Sequence, residues 1–323
     1  MYPLKFNPIL KSLIWGGDRI APFKQIETDQ KNIGESWEVS QVKGEVSVIS
    51  NGELAGQSLS DVIHNYKADL LGKKVYAKFG EDFPLLIKFI DAKDNLSIQV
   101  HPDDELAKIR HDSFGKTEMW YVMDATPDAK ILCGFTEVIT PEQYVQKVND
   151  NTIMDVIKSH DAKAGQIFYL PAGRIHAIGA GSFVAEIQQT SNITYRIYDF
   201  DRRDAQGNPR ELHTELAKDA LDYTVLDNYL SDYETKVNEV NQVVESPYFT
   251  TNVLNLTDAI HINNLSKDSF VIYICMGGSA TIVDLNGVKT TIHQGETVLV
   301  PAILADVEII PNGSCNLMET FIG

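Results

Sequence analysis

The sequence predicts a mainly β protein made of two related β-barrels, with a few short helices inserted in and after the first barrel. Short runs of alternating apolar and polar residues are separated by Gly, Asn and Pro, the pattern of half-buried strands joined by turns. A weak internal repeat aligns AGQIFYLPAGRIHAI, from Ala164, with QGETVLVPAILADVE, from Gln294. Each copy places a glycine before a strand that ends in Pro-Ala. Because 323 residues can bury two cores, we expect two barrels of common design.

The first half is also expected to contain helical stretches. Residues 58–79 repeat apolar residues at helical spacing after a Ser/Asp start, which predicts one or two helices. Thr140 and Pro141, an N-cap followed by proline at the first helical position, begin a second stretch that we expect to end near Asp161. A third helix is predicted from about His213 to Asp222.

The chain is expected to divide near residue 240. Residues 1–240 would form a catalytic, metal-binding domain, and residues 241–323, with runs such as FVIYICM and ETVLVPA, a degenerate C-terminal β domain. In the internal repeat the second copy has Ala305 where the first has His176. We therefore expect the C-terminal domain to bind no metal.

Composition limits the possible partners. Asp and Glu number 45 against 28 Lys and Arg, a formal charge of −17, so we expect no binding to nucleic acid or to an anionic membrane. A small anionic substrate is allowed where a local group of cations outweighs this field. No apolar run approaches the roughly 18 residues of a membrane span, and the N-terminus lacks a secretory pattern, which predicts a cytoplasmic protein. The three widely spaced cysteines agree with a reducing compartment.

Four side chains are candidates for one metal site. Gln99 and His101 are two residues apart in the strand-like run LSIQVHP, so both point to one face. Glu118 lies in a second alternating run, and His176 follows a predicted turn after the strand QIFYLP. An amide oxygen, two imidazoles and a carboxylate can together bind a divalent ion.

Taken singly, each candidate has a structural explanation, as a turn histidine, an edge carboxylate or an outward-facing amide. Taken together they favour a metal, because a barrel interior does not bury an unpaired carboxylate and two imidazoles without compensation. The ligand set alone would accept zinc, iron, manganese or nickel. The remaining histidines are predicted to be surface or packing residues: His64, His111, His160, His213, His261 and His293.

Several cations occupy informative positions. Lys88 interrupts an apolar strand, Lys116 shares a face with the predicted ligand at position 118, and Arg196 lies in the strand-like run ITYRIYDF. A buried cation is costly unless it meets an anion, so each is a candidate for binding an anionic substrate or for a salt bridge to a nearby carboxylate. Arg202 and Arg203 are predicted to be solvated.

The ordered motifs WGG, FPLLIKFID, LSIQVHPDD, GKTEMWY, LPAGRIHAIG and EIQQTSNITYRIYDFDR resemble those of the short bacterial form of the type I mannose-6-phosphate isomerases, zinc-dependent members of the cupin superfamily. The resemblance spans most of residues 1–215 and implies two cupin-type jelly-roll barrels and one zinc ion per chain. It also implies roles for individual residues: zinc ligands Gln99, His101, Glu118 and His176; catalytic Arg196; Lys116 at the sugar; Ser97 and Lys88 near the phosphate.

The sequence departs from the family at one position. Longer members carry a His-Lys pair just before the ligand glutamate, and that histidine has been a candidate acid/base; here the pair is Gly115-Lys116. The proton must then be carried by another group, and Lys116, Glu186 in the substrate site, or water on the metal are the candidates.

The leading hypothesis from sequence is a zinc-dependent aldose–ketose isomerase that interconverts mannose 6-phosphate and fructose 6-phosphate through an enediolate. Two alternatives use the same ligands: an Fe(II) cupin dioxygenase, and a metal-stabilised sugar-binding protein without enzymatic activity. Arg196 and Lys116 favour a phosphosugar over either.

Overall fold

The computed structural model describes residues 1–203 and 206–323. Strands make up 42% of the chain and helices 17%, which confirms the prediction of a mainly β fold. The strands of the first half are β1 (Leu4–Lys5), β2 (Ile9–Gly17), β3 (Ile33–Val39), β4 (Gln41–Val42), β5 (Glu45–Val46), β6 (Leu85–Asp91), β7 (Ile98–Val100), β8 (Glu118–Ala125), β9 (Lys130–Phe135), β10 (Ile157–Asp161), β11 (Ile167–Leu170), β12 (His176–Ile178), β13 (Ser182–Gln189) and β14 (Tyr195–Tyr198). Those of the second half are β15 (Val240–Glu245), β16 (Thr250–Leu256), β17 (Ile260–Asn263), β18 (Val271–Asp284), β19 (Lys289–His293), β20 (Thr297–Val300) and β21 (Asp306–Phe321).

Short helices connect these strands. They are α1 (Ile20–Lys24), α2 (Leu59–Tyr66), α3 (Ala68–Leu71), α4 (Lys73–Phe79), α5 (Asp104–His111), α6 (Pro141–Asn149) and α7 (Thr214–Ala220), with 3-10 turns at Gly52–Leu54 and Ile153–Val156. In the part of the chain that the structure describes, no helix has the length and apolar character to cross a membrane.

The helix predicted from Pro141 to about Asp161 is wrong in its second half. A capping box between Thr140 and Gln143 starts α6, but the helix ends at Asn149, and Asn151 adopts a positive φ of 56°. The chain then forms β10, an edge strand paired with β9. Local periodicity could not show this pairing, because the partner strand lies elsewhere in the chain.

Two antiparallel sheets form the layers of the first half. One has the strand order β10-β9-β12-β7-β14 and the other β11-β8-β13-β6-β3-β2. Their facing sides share an apolar cluster that includes Trp120, Val122 and Val184 of the larger sheet and Ile131 and Ile178 of the smaller one. The site lies between these layers.

Strand alternation decides which side chains face the site. In the larger sheet, residues such as Ile87 and Ala185 belong to a separate core that joins helices α2–α4 and the C-terminal sheet. Their chain neighbours Lys88 and Glu186 therefore point to the opposite face, toward the smaller sheet. The outer face of the smaller sheet, with Ile197, is covered by α6 and α7.

The seven strands of the second half, together with β1, form one eight-stranded sheet in which the long strands β18 and β21 pair along most of their length. Their register shifts at Gly277 and Gly278, and β18 pairs with β20 before this point and with β19 after it. Gly278 has a φ of 74°, and a Cβ there would lie 2.0 Å from the Ser314 carbonyl oxygen. Strand β1 is an edge strand of this sheet and pairs with β20. No sheet closes into a complete ring among the described strands.

Candidate metal centre and cationic cleft

Three strands bring the predicted ligands together. His176 at the start of β12 is the direct partner of Gln99 in β7, and His101 follows β7 by one residue. Glu118 begins β8 in the opposite sheet. Side chains of the two layers therefore meet in the space between them.

The donor atoms of His101, Glu118 and His176 lie within 4.8 Å of one another, and all three side chains are buried. His176 Nε2 is 3.2 Å from His101 Nε2 and 3.2 Å from Glu118 Oε1, and His101 Nε2 is 3.6 Å from Glu118 Oε2. The amide nitrogen of Gln99 lies 3.4 Å from His176 Nε2, and a flip of that amide would present its oxygen instead. All four predicted ligands are thus adjacent.

Backbone carbonyls orient both imidazoles. His101 Nδ1 lies 2.8 Å from the carbonyl oxygen of Ile193, and His176 Nδ1 lies 2.8 Å from that of Arg174. Each Nδ1–H can donate there, which leaves both Nε2 lone pairs facing each other and facing Glu118, whose Oε1 accepts no hydrogen bond from the described residues. The Lys116 ammonium meets two of these acceptors, His101 Nε2 and Glu118 Oε2. His176 Nε2 and Glu118 Oε1 remain as two acceptors 3.2 Å apart, a contact that a metal ion bound to both would stabilise, so these residues fit a metal ion.

Burial adjusts the ligand protonation states. It lowers the pKa of His176 to about 3 and that of His101 well below its usual range, with Lys116 adding to both shifts. It raises the pKa of Glu118 to about 7, against the opposing effect of Lys116. The imidazoles are therefore neutral and available as ligands at neutral pH, whereas the carboxyl must lose a proton to bind a metal.

A polar cleft opens beside these ligands, and Lys88 and Glu186 form an ion pair in its wall with Lys88 Nζ 3.1 Å from Glu186 Oε1. Burial alone would lower the pKa of Lys88, but Glu186 and Glu35 outweigh it and hold the pKa above its usual value. Burial would raise the pKa of Glu186, yet Lys88, Lys116 and a 2.8 Å hydrogen bond from Trp120 Nε1 lower it to about 2. Both groups are therefore ionised.

Lys116 links the cleft to the ligand cluster. Its Nζ lies 2.7 Å from Glu118 Oε2 and 3.1 Å from His101 Nε2, and the side chain is buried. Ser97, which is also buried, lines the same cleft on the opposite sheet.

Arg196 lies on the rim of the cleft as a direct strand partner of Gln99. Its Nη1 donates to the Glu211 carbonyl oxygen at 2.9 Å, and its buried Nε has no acceptor among the described residues. Burial lowers the pKa of Arg196, and the cations Arg210 and Arg202 lower it further. This guanidinium thus has free donor capacity beside the cleft.

One element of the candidate site is not predicted by the sequence, a buried carboxylate paired with two arginines. Arg210 lines the cleft and donates through Nε to Asp199 Oδ2 at 2.7 Å, and Arg202 also pairs with Asp199. The prediction that Arg202 is solvated is therefore wrong, whereas Arg203 is exposed as expected. The run DFDRRDAQGNPRE has no strand or helix periodicity, and only the density of arginines near Arg196 could have drawn attention to it.

The cleft is lined by more cations than carboxylates, although the whole protein is strongly acidic. Four cations line it, Lys88, Lys116, Arg196 and Arg210, against the two carboxylates Glu35 and Glu186. The chain as a whole carries −17. A local excess of positive charge in an acidic protein favours a small anion at this position.

Fold and site together define a β-sandwich protein with a buried site able to bind a metal ion beside an anion-accepting cleft. The family model for the catalytic domain of phosphomannose isomerase type I matches residues 4–136. The mannose-6-phosphate isomerase of Streptococcus mutans is 32% identical over 320 residues, 97% of this chain and 98% of that protein. Mannose-6-phosphate isomerase ManA of Bacillus subtilis is 31% identical over 97% of both chains.

A solved structure of the mannose 6-phosphate isomerase from Bacillus subtilis superposes with a TM-score of 0.88 at 29% identity, over 99% of both chains. The chain belongs to the type I phosphomannose isomerase family, and it is an isomerase by that membership. The resemblance in the sequence motifs and the predicted cupin-type fold are thereby confirmed.

Proposed function

We propose that this chain is a zinc-dependent mannose-6-phosphate isomerase that converts mannose 6-phosphate to fructose 6-phosphate, and the reverse, through an enediolate. The observation that carries the proposal is the junction of a buried His101–Glu118–His176 donor cluster with a cationic cleft. The names of its full-length relatives support the substrate. The excess of cations in the cleft favours an anionic phosphosugar as the substrate, rather than dioxygen or a neutral sugar.

Gln99, His101, Glu118 and His176 would hold the metal. The two imidazoles are already neutral, their Nδ1 atoms face backbone carbonyls, and Glu118 can supply a carboxylate oxygen. When bound, zinc would supply a Lewis acid that stabilises negative charge on sugar oxygens.

The phosphate would lie beside Ser97 and Lys88, and Arg196 at the rim would face the reacting sugar oxygens. Arg196 has a buried Nε without an acceptor, and no carboxylate pairs with its guanidinium among the described residues. A planar guanidinium can bind two neighbouring oxygens because two of its N–H groups donate in parallel. Lys88 contributes positive charge to the same cleft, although Glu186 already neutralises much of it.

Isomerisation moves a proton between C1 and C2, so negative charge develops on the two neighbouring oxygens. Lys116 lies beside the ligand cluster and Arg196 at the rim, and both would stabilise that charge. Glu186, with a pKa of about 2, is ionised but a weak base, so its stronger contribution is to fix Lys88 and to contact the sugar. Lys116 is then the better placed of these side chains to move the proton. As a neutral amine it would take the proton from one carbon, and the ammonium formed would stabilise the charge on the oxygens and return the proton to the other carbon.

Turnover of mannose 6-phosphate and of unphosphorylated mannose should be compared in an assay for the ketose product. We expect kcat/KM for the phosphorylated sugar to exceed that for mannose by at least about 10², since loss of the phosphate leaves the cleft cations unpaired. Arg203→Ala, at an exposed position outside the cleft, is a control that should not alter the ratio. Equal rates with both sugars, or no turnover of either by the zinc-loaded protein, would overturn the proposal.

A further inference from the structure

We propose that His213 is a positioning residue that holds Arg196 in the cleft through a reciprocal pair of hydrogen bonds. This inference deepens the proposed function and rests on it. The backbone N–H of Arg196 donates to His213 Nδ1 at 3.0 Å, and the backbone N–H of His213 donates to the Arg196 carbonyl oxygen at 2.7 Å. Two residues earlier, Glu211 accepts from Arg196 Nη1. One short segment therefore engages the main chain and the side chain of the same arginine.

The position of His213 is itself held firmly. It is the N-cap residue of α7, but its side chain makes no cap hydrogen bond and turns back to β14 instead. Helix α7 packs in the core that covers the outer face of the smaller sheet, with Ala217 fully buried. Tyr144 of α6 reaches the first residue of α7 through its hydroxyl. The imidazole is thus presented to Arg196 by a packed helix.

This hydrogen bond requires a neutral imidazole with its proton on Nε2, because Nδ1 must accept. Burial lowers the pKa of His213, and the nearby charges of Arg196 and His111 lower it further, whereas Glu211 acts in the opposite direction. Neutral His213 is therefore the favoured form. The His213 side chain is 23% exposed, and its Nε2 lies 4.0 Å from the Glu211 carboxylate.

Two substitutions of His213 separate its hydrogen bond from the rest of its side chain. In His213→Asn the amide Oδ1 occupies the place of Nδ1 and can still accept the Arg196 N–H. His213→Ala removes the acceptor and leaves this partly buried N–H without it. Displacement of a catalytic group by about 1 Å can cost about 10² in rate. The alanine variant should then lose activity, and the asparagine variant should keep it.

The experiment measures kcat and KM for mannose 6-phosphate in the zinc-loaded wild type, His213→Ala, His213→Asn, Arg196→Ala and the Arg196→Ala/His213→Ala double variant. We expect His213→Ala to lower kcat by about 10- to 100-fold, and His213→Asn to stay within about 2-fold of wild type. In the Arg196→Ala background, His213→Ala should change kcat by less than about 2-fold, because both act through one group. His261→Ala, on exposed β17 of the second half, is the matched control and should behave as wild type.

A second readout does not depend on turnover. Amide hydrogen exchange in the peptide containing Arg196 should be faster in His213→Ala and unchanged in His213→Asn. Unchanged exchange in His213→Ala, full activity of that variant, or an equal loss in the Arg196→Ala background would overturn the positioning role. A wild type without isomerase activity would instead contradict the proposed function, and the exchange data would still decide whether His213 holds Arg196.

Discussion

Metal binding should release a proton from Glu118, in an amount set by pH. Burial raises the pKa of this carboxyl to about 7, so in protein freed of metal by a chelator it is about 0.9 protonated at pH 6, 0.5 at pH 7 and 0.1 at pH 8. His176, with a pKa lowered to about 3, and His101, lowered well below its usual range, are already neutral and release none. Because a metal binds the carboxylate form, we expect about these numbers of protons per zinc.

Titration calorimetry in buffers of different ionisation enthalpy measures this release directly. The sign of its pH dependence is diagnostic, because a raised carboxyl pKa makes release fall as pH rises, whereas ionisation of water on zinc would make it rise. Glu118→Gln serves as the control, since it has no proton to lose and should show no such fall. Constant release from pH 6 to 8, or release above one proton at pH 6, would refute the reasoning about protonation of the ligands.

Three further predictions concern single side chains. Arg196→Ala should lower turnover by roughly 10² to 10³, the cost of losing one preorganised hydrogen-bond donor to the developing charge. Zinc content by elemental analysis should stay at the wild-type value. Near-normal turnover would show that Arg196 does not stabilise the reacting oxygens. Lys88→Met leaves Glu186 buried without its cationic partner and should lower the free energy of unfolding, measured in urea, by about 3–5 kcal/mol. An unchanged urea midpoint would contradict a stabilising ion pair between Lys88 and Glu186. Glu319→Ala removes the buried acceptor of Lys267 and should lower the free energy of unfolding by a similar amount. The kcat of the folded protein should not change, because Glu319 lies in the second half. A loss of kcat would link the two halves functionally.

Strand alternation was enough to place most of the site. A period of two puts Gln99 with His101, and Lys116 with Glu118, on one face of their runs, and the structure has these pairs facing one space. The pairing of His176 with Gln99 was beyond such reasoning. These residues are 77 positions apart, and local patterns carry no information about which strands become neighbours.

The arginine-rich segment shows the same limit more clearly. Asp199 is buried between Arg202 and Arg210, and Arg210 reaches the cleft only because the chain returns after β14 toward α7. A loop has no periodicity from which a facing side can be predicted. His213 was expected to be a surface or packing residue for the same reason, since its hydrogen bond to Arg196 depends on that return of the chain.

Stoichiometric restoration of activity by metal would show most directly that this chain is a zinc-dependent isomerase. The protein is stripped with a chelator until elemental analysis finds no metal, and zinc is added in steps while fructose 6-phosphate formation from mannose 6-phosphate is measured. We expect no turnover without metal and a linear rise to a plateau at one zinc per chain. We expect no restoration in His176→Ala, which loses a buried metal ligand. Full turnover by the metal-free chain would contradict zinc dependence.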